Sequence, residues 1–189
     1  MKKILLASVV SFVLTGFAFK PSPSAEKTVL QSKDLVGKWA CKVSYQDKDM
    51  LAYNLLHFTQ EGIVIDVAAV KLPIEKPILD YKVERSGYWS LAGNNLSYVI
   101  VKNNVIRSHS EKVKEVLQQE KFKNVKDLEQ SYFDNLQRGE FLASVNLSLT
   151  QFADKRLTFT QHLGGKNYEG FCIRDTRSES QKAPSKKTK

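Results

Sequence analysis

The stretch "LVGKWACKVSY", residues 35–45, sets a Gly-Lys-Trp triplet and a cysteine at the head of an alternating run. Trp39, Cys41, Val43 and Tyr45 share one parity, and Lys38, Lys42 and Ser44 take the other. That period of two predicts a strand with one face buried. Near the other end, "YEGFCIRD" (residues 168–175) carries the second of the chain's 2 cysteines. An even count of two admits one bridge, Cys41–Cys172. If these cysteines face each other on antiparallel strands, Trp39 falls opposite Arg174, whose guanidinium can stack on the indole. The first and last strands must then be neighbours, which a closed barrel supplies and an open sheet does not.

The chain between these ends fits closure. Extended runs are predicted at residues 50–59 and 63–71, joined through the Gly62 turn. Two more follow at 80–91 and 96–107, joined through "AGNN" (92–95). Further runs cover 141–150 and 156–163, and "GGKN" (164–167) leads into the last at 168–174. Between residues 108 and 139 the period changes. Val113, Val116, Leu117, Phe122, Val125, Leu128, Tyr132, Phe133 and Leu136 recur at helical spacing, with a phase slip near residues 121–124. Ser108 with Glu111 fits a capping box, Asn124 with Asp127 a second start, and Gly139 a stop. The fold class is mainly β: an eight-stranded antiparallel up-and-down barrel with a helical insertion between strands five and six. A sandwich is the alternative.

Gly37-Lys38-Trp39 on the first strand, eight strand segments and Arg174 on the last resemble the lipocalin and calycin-like group. The resemblance implies that Trp39 packs across the closed end of the barrel against Arg174, and that the barrel forms a cup for a small apolar molecule. Two features depart from the group: the helical segment precedes strand six, and strand eight runs straight into a polar tail. A second, looser resemblance is to periplasmic lysozyme inhibitors. Their Ser-Gly and Tyr-x-x-Gly loop motifs are similar to Ser86-Gly87-Tyr88 and Asn167-Tyr168-Glu169-Gly170, and imply an inhibitor.

The first 18 residues place Lys2 and Lys3 before an uncharged run that ends Gly16-Phe17-Ala18, the pattern of a signal peptide. A flexible leader is predicted over 19–33, the lipocalin-like barrel domain over 34–175, and a disordered basic tail over 176–189. Nothing after residue 18 resembles a membrane span. The predicted location is therefore periplasmic or secreted, where a disulfide persists. The formal charge is +9, but six of those charges belong to Lys2, Lys3 and the four lysines from Lys182 onward, leaving about +3 on the body. No basic stripe with interleaved aromatics appears, so nucleic-acid binding is not implied. A net-positive body also does not steer toward a basic lysozyme.

No nucleophile elbow, zinc-protease helix or phosphate loop is present, and the 3 histidines are scattered at His57, His109 and His162. Asp66 and Glu84 are single carboxylates whose strands cannot be paired by spacing alone. His57 with His162 has no third ligand, so no metal and no cofactor is implied. The large residues predicted to face inward are Tyr45, Tyr81, Trp89, Tyr98, Phe141 and Phe159. They suit an aromatic-lined ligand pocket and a filled core equally. The sequence thus points to an exported, non-enzymatic barrel that binds a small apolar or amphipathic ligand in its mouth. A protein-interaction module or inhibitor is the alternative.

Overall fold

Alternation of buried and outward side chains carries the chain through β1 (Gly37–Tyr45), β2 (Met50–Phe58), β3 (Ile63–Leu72), β4 (Leu79–Ala92), β5 (Asn95–Arg107), β6 (Ser144–Ala153), β7 (Arg156–Leu163) and β8 (Lys166–Arg174). Each strand pairs antiparallel with the next, and β8 returns to β1, giving a closed eight-stranded barrel. This architecture comes from a computed structural model that describes residues 30–139, 144–153 and 155–176. The predicted signal segment, residues 19–29 of the leader, Phe141 and the tail from residue 177 lie outside the described residues.

The closing seam is built from both ends of the chain. Cys41 faces Cys172, and the two form a disulfide across 131 residues. Trp39 stands opposite Arg174, whose guanidinium carbon lies 4.3 Å from the indole centroid. The indole is fully buried, and its Nε1–H donates to the Leu35 carbonyl at 2.8 Å. Arg174 also donates to the Val36 carbonyl at 2.8 Å and to the Asp34 carbonyl. One arginine therefore joins strand, indole and incoming chain. Gly37 has φ +121°, and a Cβ there would come within 3.0 Å of Arg174 Nη1, so the triplet needs its glycine.

Residues 30–33 do not behave as leader. They enter a helical turn, α1 (Ser32–Leu35), with Leu30 and Leu35 buried and the Gln31 N–H donating to the Asp34 carboxylate at 2.9 Å. Two leucines five apart supply enough apolar surface to dock the turn on the core.

The insertion holds α2 (Glu111–Leu117) and α3 (Lys123–Arg138), joined by one 3-10 turn. Both predicted starts shift. Ser108 is held by the sheet, its N–H donating to the Asp80 carbonyl at 2.8 Å, and Ser110 caps α2 instead. Asn124 lies inside α3 because the 3-10 turn feeds directly into it, with no side-chain cap. Gly139, at φ +68°, ends α3. β6 runs to Ala153 through an irregularity between Leu149 and Gln151. Ser86-Gly87-Tyr88 and residues 167–170 lie within β4 and β8 rather than on loops, so the inhibitor-like motifs are not presented as loop contacts.

α3 packs along the later part of β5. Asn103 Nδ2 donates to the Leu136 and Gln137 carbonyls at 2.8 and 2.9 Å, and the Val105 N–H donates to Gln137 Oε1 at 3.3 Å.

Reducing the disulfide releases a very long loop in the unfolded chain. On the loop-entropy account, denaturant unfolding with and without a thiol reductant should differ by about 5 kcal/mol, and equal midpoints would show that the seam holds without the bond.

Candidate functional site

Five of the six predicted pocket aromatics fall among the described residues, and all five are buried: Tyr45, Tyr81, Trp89, Tyr98 and Phe159. They do not line one cup. Trp89 packs edge-on to Phe58 at 5.2 Å, and its Nε1–H donates to the Thr59 carbonyl at 3.1 Å. Tyr81 turns toward the insertion and donates to Glu129 Oε1 at 3.0 Å. Phe159 lies over Gly170, where a Cβ would sit 2.4 Å from the ring. Tyr45, Tyr98 and Phe159 do meet at one interior cavity of about 30 Å³, which holds about one water. As folded, the aromatics fill the barrel.

The wall of that cavity is polar where the strands predict oil. Asp66 and Arg85 stand opposite each other on β3 and β4, both inward, with side chains 0% and 5% exposed. Arg85 Nη2 donates to the Asp66 carboxylate, and Asn54 Nδ2 donates to both its oxygens at 3.0 and 3.2 Å. Tyr45 donates to Gln161 Oε1 at 2.9 Å. Arg85 Nε is buried and unpartnered among the described residues. Burial pushes the Tyr45 phenol up to about 12 and the Tyr98 phenol up as well. Burial opposes the Arg85 charge, but the Asp66 charge more than offsets it and keeps the guanidinium protonated. Asp66 shares parity with Val64, Ala68 and Val70, and Arg85 with Tyr81, Val83 and Trp89. Two charges at core parity on adjacent strands were thus the available signal. The other single carboxylate, Glu84, pairs outside with Lys82 at 2.6 Å.

The insertion roofs this interior. Leu136 of α3 reaches the cavity, and a second void of about 20 Å³ lies between Leu136, Asn103, Gly139 and Arg85. Glu129 and Leu136 of α3 are buried, Tyr132 and Phe133 pack partly buried against the core, and polar contacts fasten the helix around them. Glu129 accepts from Tyr81, from Arg107 Nε at 2.9 Å and from His109 Nε2 at 3.0 Å. The Asp80 N–H donates to His109 Nδ1 at 3.0 Å, which leaves the Nε2–H to donate to Glu129. Arg107 also lies 3.6 Å over the Phe133 ring. Burial raises the Glu129 carboxyl, but hydrogen bonds from Arg107, His109 and Tyr81 outweigh it and hold the group below the usual glutamate range.

The remaining histidines lie outside this interior. His162 is exposed on β7 between Ser148 Oγ and Asn167 Oδ1, each at 2.8 Å, and His57 is half-buried on β2. Among the described residues no group of three or more His, Cys, Asp or Glu is placed to hold a metal ion.

No family model matches the chain, and no curated protein matches it. Solved structures similar to it include a redesigned β-barrel, mFAP1, bound to DFHBI, at 12% identity and TM-score 0.37, covering 76% of this chain and 97% of that one. An uncharacterized protein from Bacteroides eggerthii matches at 14% identity and TM-score 0.33, covering 74% and 98%. Rv2717c from M. tuberculosis matches at 8% identity and TM-score 0.29, covering 78% and 99%.

Asp66→Ala should cost about 3–5 kcal/mol because it strands a buried guanidinium, whereas the double change Asp66→Leu with Arg85→Met should be near neutral or stabilising. Equal losses in both, read by urea unfolding, would make the pair a stability element. The Glu129 anion is favoured in the folded form, so its contribution is full above the usual carboxylate range near ~4.3 and disappears as pH falls through its lower folded value. Amide exchange in α3 should accelerate below about pH 4 before the strands respond, and Glu129→Gln should remove that pH step.

Proposed function

We propose that this protein is an exported, non-enzymatic binding protein that takes a small apolar or amphipathic molecule into the barrel beneath α3. The observation that carries the reading is Arg85 Nε, buried and without a partner among the described residues, at the wall of the interior cavity roofed by Leu136. Burying an unmet donor is costly, and a ligand acceptor satisfies it. Asp66 already balances the Arg85 charge. A third charge would enter the interior unpaired, so the ligand's polar end is a neutral acceptor such as a hydroxyl or carbonyl.

The closed cavity of about 30 Å³ is far below the ~300–1,000 Å³ of ligand pockets, so entry requires movement of α3. The helix bonds to β5 through the side chains of Asn103 and Gln137, and such bonds exchange for water as a lid moves. The disulfide and the charge pattern of the first 18 residues support export. Among the described residues no helix is long and apolar enough to cross a membrane.

Dodecanol and 2-dodecanone are suitable probes. They should bind the full-length protein, bind more tightly to Leu136→Ala, and weaken at least about tenfold in Arg85→Met, which corresponds to about 1.4 kcal/mol. Unchanged affinity in Arg85→Met, or no binding even to Leu136→Ala, would overturn the interior site.

A further inference from the structure

The outward face of β8, β1, β2 and β3 is unusually apolar. The pairing places Phe171, Lys42, Tyr53 and Ala69 in one lateral row and Ile173, Ala40, Leu55 and Val67 in the next. Outward positions on a one-sided sheet are ordinarily polar, yet Leu55 and Ile173 are 51% and 50% exposed here. Ala40 and Ala69 keep the floor low between larger neighbours, and the result is a cleft of about 430 Å³ on the barrel wall. That volume lies within the range of ligand sites.

The charges around the cleft define its occupant. Lys42 and Lys82 both border it. Lys82 is paired with Glu84 at 2.6 Å. The Lys42 ammonium lies 5.7 Å over the Tyr53 ring, and none of the ion pairs among the described residues reaches it. An apolar trough with one unbalanced cation at its edge matches a single-chain molecule that has an anionic end. A second copy of the chain fits poorly, since two-fold packing of this face would bury like-charged lysines together.

We propose that this outer cleft is a second binding site, for a long-chain carboxylate, with the alkyl chain on Ala40, Leu55, Val67 and Ile173 and the carboxylate at Lys42. It is independent of the interior site: it lies on the other side of the wall and selects a charged head where the interior selects a neutral one.

The experiment is calorimetric titration of the full-length protein with dodecanoate and dodecanol, below micelle-forming concentrations and at two salt concentrations. Dodecanoate should bind with salt-sensitive affinity, weaken at least about tenfold in Lys42→Glu, and be lost in Ala69→Trp, which fills the trough at an outward position. Arg85→Met and Leu136→Trp should leave dodecanoate binding unchanged, so loss of the interior site leaves this one measurable. An unaltered melting temperature in Ala69→Trp confirms that the barrel is intact. Equal dodecanoate affinity in wild type and Lys42→Glu would overturn the proposal. So would loss of dodecanoate binding in Leu136→Trp, binding only to anionic phospholipid vesicles, or dimerisation through this face in sedimentation that Ala69→Trp abolishes.

Discussion

The join between β1 and β8 decides which side chains face in and which face out. A slip of one residue there would send every buried side chain of both strands to solvent. The Cys41–Cys172 bond and the Trp39–Arg174 stack hold two rungs of one ladder, two residues apart, so neither can shift without breaking the other. Arg174 extends the same constraint to the chain entering the barrel through its bonds to the carbonyls of residues 34 and 36. The base of the barrel is thereby closed.

The insertion is held differently: α3 bonds to β5 through the side chains of Asn103 and Gln137. The contrast is energetic. The base is held by a covalent bond and a buried indole, whereas the insertion is held by Glu129, Asn103 and Gln137 around buried Leu136 and partly buried Tyr132 and Phe133. Buried ion pairs are weak contributors to stability compared with apolar packing of the same volume. Asp66 and Arg85 thus contribute more to the polarity of the interior than to its stability.

The barrel, its helical insertion and the disulfide were legible because each leaves a period or a parity. Alternation of two marked the strands, spacing near 3.6 marked the insertion, and Cys41 and Cys172 each sat at core parity. Caps were less legible: Ser108 and Ser110 offer the same hydroxyl, and only the hydrogen bond of Ser108 to Asp80 decides between them. The Asp66–Arg85 pair was half legible. Parity placed Arg85 inward, but pairing it with Asp66 needs the β3–β4 register, which the hairpin alone did not supply. Interior space was not legible at all. Whether Tyr45, Tyr98 and Phe159 line a cup or fill it depends on rotamers and on Leu136 arriving from a distant helix. The outer cleft was hidden for a related reason, since its rows combine residues from strands more than a hundred positions apart.

The seam has a further consequence. Its two sides lie 131 residues apart, so none of its contacts can form until residues 172–174 have been made. Until then β1 keeps an open edge that a strand from another molecule can pair with. The contacts that fix the barrel's register are therefore also the longest-range ones, and such pairings form slowly because loop closure must precede them.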